Sequence, residues 1–412
     1  IGIIQQIRSK ITLDKLSLLD KNKYTVIRDG KEEEIDSDNL VEGDFIILES
    51  GKQIPADAEV VSGKIYVNES LLTGEQNEIE KRIDILEDDI ADIDPIILRI
   101  LLKDKTTRKN ILWCTKDYES YGPEYNERAE MKVKLITGRY FNVIQPRAAK
   151  SKKVQEQRIR KRAEVFTPSW ICNEQNNQVD EAWFGRANVF NIPQGTTWIT
   201  NNDKILFDNN NKTWKSYVDA KRLEITCGEA PYLVSRYDTT TGELIPINNR
   251  IGLFDRKMRV VNENCEEAES WIKHSLRALK SVYGYEFQGD SLLIARENLL
   301  YDYIDYYEGK FNEEPPITLL KEVANIIAWN IWQMDGLKCV VPYSCREIKD
   351  TINQISLFEL AEEETITKCP GCKKNDIYKH NGVYCRIFDW TNYKKSIPFI
   401  DVLKEGTKRG KI

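Results

Sequence analysis

The chain has 412 residues, 41% of them hydrophobic and 31% charged, which is enough for two or three domains with cores of their own. Its net charge of −6 excludes a global basic field for nucleic acid. No apolar stretch approaches the roughly 20 residues that a membrane-spanning helix needs; the best, Val323 to Trp332, is too short.

The sequence starts at Ile1 rather than at an initiator methionine, which suggests a fragment or a processed start. IGIIQQIRSK has no apolar run ahead of a small-residue cleavage site, so no signal peptide is expected. The opening IIQQIRSKITLDKLSLL is helical by period, with apolar residues at 4, 7, 11, 13, 16 and 19. KYTVIRDG is expected as a strand ending in an Asp29-Gly30 turn, and GDFIILESG as a strand closed by Gly51. AEVVSGKIYVNES is expected as a hairpin around Ser62-Gly63. The acidic seam RIDILEDDIADIDP, residues 82–95, reads as a linker or as a short helix stopped by Pro95. The basic run Lys150-Ser151-Lys152-Lys153, continued by Arg158, Arg160, Lys161 and Arg162, is either a local nucleic-acid patch or a solvated helix face or linker. From about Ile97, strands and helices alternate. RLEIT, SVYGYEF and KCVVPYS are expected strands, while SLLIARENLLYDYIDYYEGKF and TLLKEVANIIAWNIWQ are expected helices. Such alternation argues for a parallel α/β sheet.

Within the first 80 residues stand three ordered blocks: G-D-x-I in Gly43-Asp44-Phe45-Ile46, P-A-D in Pro55-Ala56-Asp57, and E-S-x-L-T-G-E ending in Thr73-Gly74-Glu75. They resemble the actuator domain of P-type cation-transporting ATPases. The resemblance implies that Glu75 would be the carboxylate that positions water against an aspartyl phosphate, on a loop shaped by Thr73 and Gly74. The phosphorylated aspartate in its D-K-T-G-T context is absent, and DKTTRK at 104–109 lacks the glycine that would let backbone approach a phosphate. No nucleotide-binding domain follows, so the expectation is part of a pump.

Three further motifs follow in order: F-T-P at Phe166-Thr167-Pro168, T-C-G at Thr226-Cys227-Gly228, and Y-G-x-E ending in Glu286 before L-x-I-A-R-x-N-L-L. A strand entering the Thr226–Ala230 turn, with a helix starting near Pro231, would let a ligand approach the backbone. A carboxylate at the tip of the next strand is placed to accept ribose hydroxyls. Residues from about 97 to 412 resemble N6-adenine DNA methyltransferases of restriction–modification systems, of the subunit M and fused restriction–methylase types. The resemblance implies S-adenosylmethionine as cofactor, DNA as partner and a cytoplasmic setting. Phe166, Thr167 and Pro168 would line the methionine end, Thr226, Cys227 and Gly228 would form the turn beneath it, Glu286 would hold the ribose, and Asp335 would contact the adenine amino group. This chain departs from the family at Glu224-Ile225, where D-P is usual, and at Ala230, where the turn has its second glycine. The catalytic (N/D/S)-P-P-(Y/F) is missing: Pro315-Pro316 lacks its flanking partners, and the segment with Tyr343 has one proline. Truncation before that motif is expected, with a second polypeptide carrying N-P-P-Y, or a restriction subunit, as a partner.

The nine cysteines, without a secretion signal, fit a reducing compartment. Cys369, Cys372, His380 and Cys385 have the spacing of a structural zinc knuckle; two free thiols on a loop beside a solvated histidine are the alternative.

The fold class expected is α/β: a Rossmann-like S-adenosylmethionine-dependent methyltransferase sheet, preceded by a small β-rich actuator fragment and followed by a zinc-knuckle-like segment. Its parts are an actuator-like domain at 1–81, an acidic linker at 82–96, an N-terminal methylase part at 97–162, a cofactor-binding core at 163–345 and a Cys/His segment at 346–412. Three functions compete: the cofactor-binding part of an adenine methyltransferase, a pump component whose actuator is the working part, and a non-catalytic DNA- or partner-binding module.

Overall fold

The computed structural model describes residues 23–28, 31–41, 43–48, 55, 64–67, 79–82, 86–140, 143–150, 158, 167–208, 212–355, 360–391 and 394–408. The chain divides into two compact units, residues 1–84 and 85–412.

The first unit is β-rich. Strands β1 (Lys23–Arg28), β2 (Lys31–Asp36) and β3 (Phe45–Ile47) form an antiparallel sheet in the order β2-β1-β3. Alternation in β1 puts Tyr24 and Val26 inside, both almost fully buried, which fixes its register. β2, KEEEID, is an edge strand blunted by its charges. Arg28 pairs with Lys31, the two-residue connection that a D-G turn makes, although Asp29 and Gly30 lie outside the described residues. Strands β4 (Lys64–Val67) and β5 (Ile79–Arg82) pair antiparallel, so the partner of the KIYV strand is 79–82; the other arm of the expected Ser62-Gly63 hairpin lies outside the described residues, as does the helical opening.

The G-D-x-I block has a visible structural task. Gly43 has φ 98°, a region open to glycine, and turns the chain so that Asp44 meets Arg28. The pair is bidentate: Arg28 Nε donates to Asp44 Oδ1 at 2.6 Å and Nη2 to Oδ2 at 2.5 Å, while Val41 N donates to Oδ2 at 2.9 Å. The Arg28 guanidinium holds the Asp44 carboxyl down at about 2. Strand β3 is thereby pinned to the end of β1.

The second unit is mixed α/β. The acidic seam is helical over Leu86–Ile93, with Ile90 fully buried. Pro95 does not only stop that helix. It opens the next, Pro95–Leu101, where a missing N–H costs nothing, and Asp94 caps it by accepting from Ile96 N at 2.7 Å. The seam thus packs into the unit's core through Ile90, and the helix that Pro95 opens does so through Ile97, Leu98 and Leu101.

After an antiparallel hairpin of β6 (Asn191–Gln194) and β7 (Thr197–Thr200) comes the central parallel sheet of β8 (Arg222–Glu224), β9 (Val282–Glu286) and β10 (Ile331–Gln333), in the order β10-β9-β8. Parallel strands need crossovers. Helices Leu253–Asn264 and Ala268–Leu279 make the first, and helices Gly289–Phe311 and Ile317–Asn330 the second. The helix expected to run to Gln333 ends at Asn330, because the apolar Ile331-Trp332 pair is taken up as the buried strand β10 beside β9. KCVVPYS is not a strand; Val340 makes only isolated bridges, to Asp335 and Tyr384. Nor does a helix start at Pro231: that segment is a turn, and the next α-helix begins at Leu253.

Arg296 and Asn298, from the L-x-I-A-R-x-N-L-L run, tie this unit together. Arg296 is fully buried and donates to the carbonyls of Ile331 (2.8 Å), Lys103 (3.1 Å) and Leu101. Asn298 Nδ2 donates to Glu229 O and to the Tyr237 hydroxyl, each at 3.2 Å. Among the described residues the parallel sheet has three strands, and the expected Rossmann-like methyltransferase sheet is not shown; what stands is a mixed α/β unit after a β-rich one.

Beyond β10 come two antiparallel hairpins, β11 (Ile348–Ile355) with β12 (Leu360–Thr367), and β13 (Arg386–Asp389) with β14 (Lys395–Pro398). The short helix Pro370–Lys374 lies between them, and helix Phe399–Lys408 follows. Among the described residues no helix is long and apolar enough to cross a membrane.

Candidate functional site

The C-terminal ends of β8 and β9 open into a cavity of about 880 Å³, where open parallel sheets place ligands. Thr167, Thr226, Cys227, Gly228 and Glu286 line it, together with Glu224, Tyr232, Phe287, Gln288 and Ser291. Five of the eight residues expected around a cofactor are therefore brought to one cavity. Pro168 is not among its lining residues and instead flanks the start of helix Ser169–Phe184; Phe166 lies outside the described residues. Asp335 is also apart from it. Its carboxylate accepts from Lys338 Nζ at 2.7 Å and Leu337 N at 3.2 Å, so it closes a local turn.

The 226–230 turn is strained. Thr226 (φ 47°), Gly228 (φ 54°) and Ala230 (φ 64°) are all left-handed, and two of the three carry a Cβ. Glu286 holds this turn. Its Oε2 accepts from Gly228 N at 2.9 Å, and Oε1 from Phe287 N at 2.8 Å and Gln288 N at 3.1 Å. Burial raises its pKa, against the pull of those amides. Glu286 is thus a clamp between the ends of β8 and β9, and Glu286→Ala should cost about 1–3 kcal/mol of stability by stranding buried amides. Denaturant unfolding checks this; an unchanged midpoint would show that the turn holds without the clamp.

Glu224, which stands where the sequence departs from D-P, is a buried carboxyl pushed up to about 8 by burial. Its oxygens accept from Tyr232 N at 3.4 Å and Leu233 N at 3.2 Å. Its place at the end of a short expected strand is the only sign of it in the sequence.

Asp290 is completely buried and gathers Arg158 Nη2 at 2.9 Å, Lys150 Nζ at 3.3 Å and the Tyr118 hydroxyl at 2.8 Å. Arg158 also meets Asp117 at 2.8 Å. Lys150 and Arg158 are therefore neither a nucleic-acid patch nor a solvated face: they neutralise a buried aspartate. The positions at 151–153 and 160–162 lie outside the described residues. Asp104, in DKTTRK, is buried and spends both oxygens on its own turn, accepting from Thr106 N, Thr107 N and the Thr107 hydroxyl. It is no phosphorylation site.

The third cluster is sulfur-rich. Cys345, Cys369, Cys372 and His380 bring their ligand atoms within 4.8 Å of one another. Each Sγ is 3.6 Å from His380 Nδ1. Burial works against ionisation of Cys369, yet the amide of Asn381, at 3.2 Å from its sulfur, and neighbouring donors bring the thiol down to about 6. Cys385 is not part of this group. It is fully buried, with its Sγ at 3.3 Å from the carbonyl of Gln333. The reason is alternation along extended chain: Tyr384 reaches the knuckle, where its hydroxyl accepts from His380 N at 3.0 Å, so its neighbour Cys385 faces the apolar core. Cys345 takes the fourth place. Sequence spacing hid it because it lies 24 positions before Cys369, but strands β11 and β12 return the chain, pairing Ile348 with Thr367.

The residues of the T-G-E block, Thr73, Gly74 and Glu75, lie outside the described residues, as do Ala56 and Asp57.

A family model for the P-type ATPase actuator domain matches residues 18–137. A probable cation-transporting ATPase of Streptococcus pneumoniae is 46% identical over 83 residues, 20% of this chain and 11% of that protein. A calcium-transporting ATPase of Listeria monocytogenes is 36% identical over 92 residues, covering 22% and 10%. A copper-exporting P-type ATPase of Staphylococcus saprophyticus is 41% identical over 69 residues, covering 17% and 9%. The chain spans about a tenth of the length of these curated relatives. No solved structure matches the chain.

These findings correct the expectation of an adenine-specific DNA methyltransferase of a restriction–modification system: the family match and these relatives are ATPases that move cations. S-adenosylmethionine falls with it as a cofactor, since the relatives' names speak of ATP. The geometry agrees at two points, for Asp335 is bound in its own turn and the helix expected to start near Pro231 is a turn instead. Residues 18–137, the N-terminal part of this chain, carry the actuator domain of the P-type ATPases.

Proposed function

We propose that the chain is a fragment of a P-type cation-transporting ATPase, and that its working element is the T-G-E loop with Glu75. The observation that carries this is the family match over 18–137, which takes in the ordered blocks G-D-x-I, P-A-D and E-S-x-L-T-G-E. The chemistry asked of the loop is hydrolysis of an aspartyl phosphate. Water attacks phosphorus, the bond from phosphorus to the aspartyl oxygen breaks, the carboxylate of Glu75 takes the proton, and phosphate leaves. The phosphoenzyme and the cation path are supplied by parts of the pump beyond this fragment.

A transplant tests the reading. The 83-residue segment of the streptococcal relative that aligns with this chain is replaced by this chain's own. The chimeric pump should form and discharge its phosphoenzyme, and Glu75→Gln in the transplant should slow discharge by about 10²–10⁴-fold. Discharge at an unchanged rate in the variant would remove Glu75 from the chemistry and the proposal with it.

A further inference from the structure

The geometry points to one tetrahedral zinc ion held by Cys345, Cys369, Cys372 and His380 Nδ1, a site independent of the actuator reading because all four residues lie beyond the matched stretch 18–137.

The distances carry the argument. With Zn–S near 2.3 Å and Zn–N near 2.0–2.1 Å, a regular tetrahedron has a sulfur-to-nitrogen edge of about 3.6 Å. All three Sγ to Nδ1 separations are 3.6 Å. Three thiols equidistant from one ring nitrogen are not a requirement of packing. They are what a common central ion imposes, and three sulfurs with one imidazole suit zinc.

The surroundings are built for the same end. A Cβ on Gly371 would lie 2.6 Å from both His380 N and Nδ1, so the Cys369–Cys372 knuckle can close on the ring only with glycine there. A Cβ on Gly382 would lie 2.7 Å from Ser344 Oγ and 3.1 Å from Cys345 Sγ, so the turn after His380 can approach Cys345 only with glycine there too. Asn381 fastens the two halves: its Oδ1 accepts from Arg346 N at 3.0 Å, its Nδ2 donates to Arg346 O at 2.8 Å, and its own amide points at Cys369 Sγ. Such outer contacts fix ligand directions before a metal arrives. With four protein ligands the site is closed, so its task is structural. It staples Cys345, before the β11–β12 hairpin, to the segment after it. Loading moves the thiol protons to solvent and leaves three thiolates and one neutral imidazole on the ion.

The test uses the full chain purified without chelator. Elemental analysis should find one zinc per chain. Cobalt(II) added to chelator-stripped protein should give the intense visible bands of tetrahedral cobalt and a sulfur-to-cobalt charge-transfer band. Cys345→Ser should lower the bound metal to well under half an equivalent, while Cys385→Ala should keep both the stoichiometry and the tetrahedral spectrum. Should Cys385→Ala fold poorly, the cobalt spectrum of the unaltered chain still decides. A metal-free protein with free or disulfide-bonded cysteines, an octahedral cobalt spectrum, or full retention of metal by Cys345→Ser would each overturn the assignment.

Discussion

Asp290→Ala should lower the unfolding free energy of the second unit by about 3–5 kcal/mol. Asp290 is fully buried, and its carboxylate faces Arg158 and Lys150 with a hydroxyl from Tyr118. Burial alone would raise its pKa. Arg158, Lys150 and the Tyr118 hydroxyl outweigh burial and hold it well below the usual carboxylate range. The native state therefore loses this support only in strong acid, as pH falls through the depressed value. Removing the carboxylate at neutral pH leaves Arg158, itself 3% exposed, without its deepest partner. The cost is that of a stranded charge more than of a lost bond. Tryptophan fluorescence in urea gives the measurement cleanly, since all nine tryptophans lie beyond residue 84 and report the second unit. A loss below about 1 kcal/mol, the range of surface pairs, would show that water reaches this cluster.

Glu224 should make the second unit less stable as pH rises. Burial pushes its carboxyl from 4.5 up to about 8, so the folded state binds a proton that the unfolded chain has released. Where the folded state holds more protons, unfolding free energy falls with pH. The contribution is fully present below about pH 4.5, declines through the neutral range and is spent above about pH 8. At about 1.4 kcal/mol per unit the whole decline is about 3–5 kcal/mol. Glu224→Gln keeps an acceptor for the amides of Tyr232 and Leu233 and cannot ionise. The difference between wild type and Glu224→Gln should therefore slope across pH 5–8 and flatten beyond it. Parallel curves would mean that Glu224 titrates alike in both states.

The two units were legible to different degrees. In the first, the actuator blocks are contiguous, and their structural part is local: Gly43 turns the chain and Asp44 reaches Arg28 across one short sheet. In the second, VYGYE and RLE are short runs that form the parallel pair as expected, and SLLIARENLLYDYIDYYEGKF lies within one helix, Gly289–Phe311. The methyl-transfer reading failed because motif order stood in for chemistry. Glu286 does sit at a strand tip beside the T-C-G turn, but all its observed bonds are to backbone amides. Arg296 and Asn298 are likewise spent on backbone carbonyls and a buried hydroxyl.

By itself the sequence determined what contiguous residues can carry: the actuator identity of the N-terminal part, the alternation of strands and helices, and the nearness of Cys369, Cys372 and His380. These depend on turns and periodicities within a few residues, where backbone geometry leaves few choices. Only the tertiary structure decided that Cys345 and not Cys385 completes the sulfur cluster, and that Lys150 and Arg158 go inward to Asp290. It also decided that Glu224 is buried. Each of those outcomes depends on segments far apart in the chain meeting in a low-dielectric interior, where a charge must find its partner and a side chain must choose a face, and neither choice is written within one window of sequence.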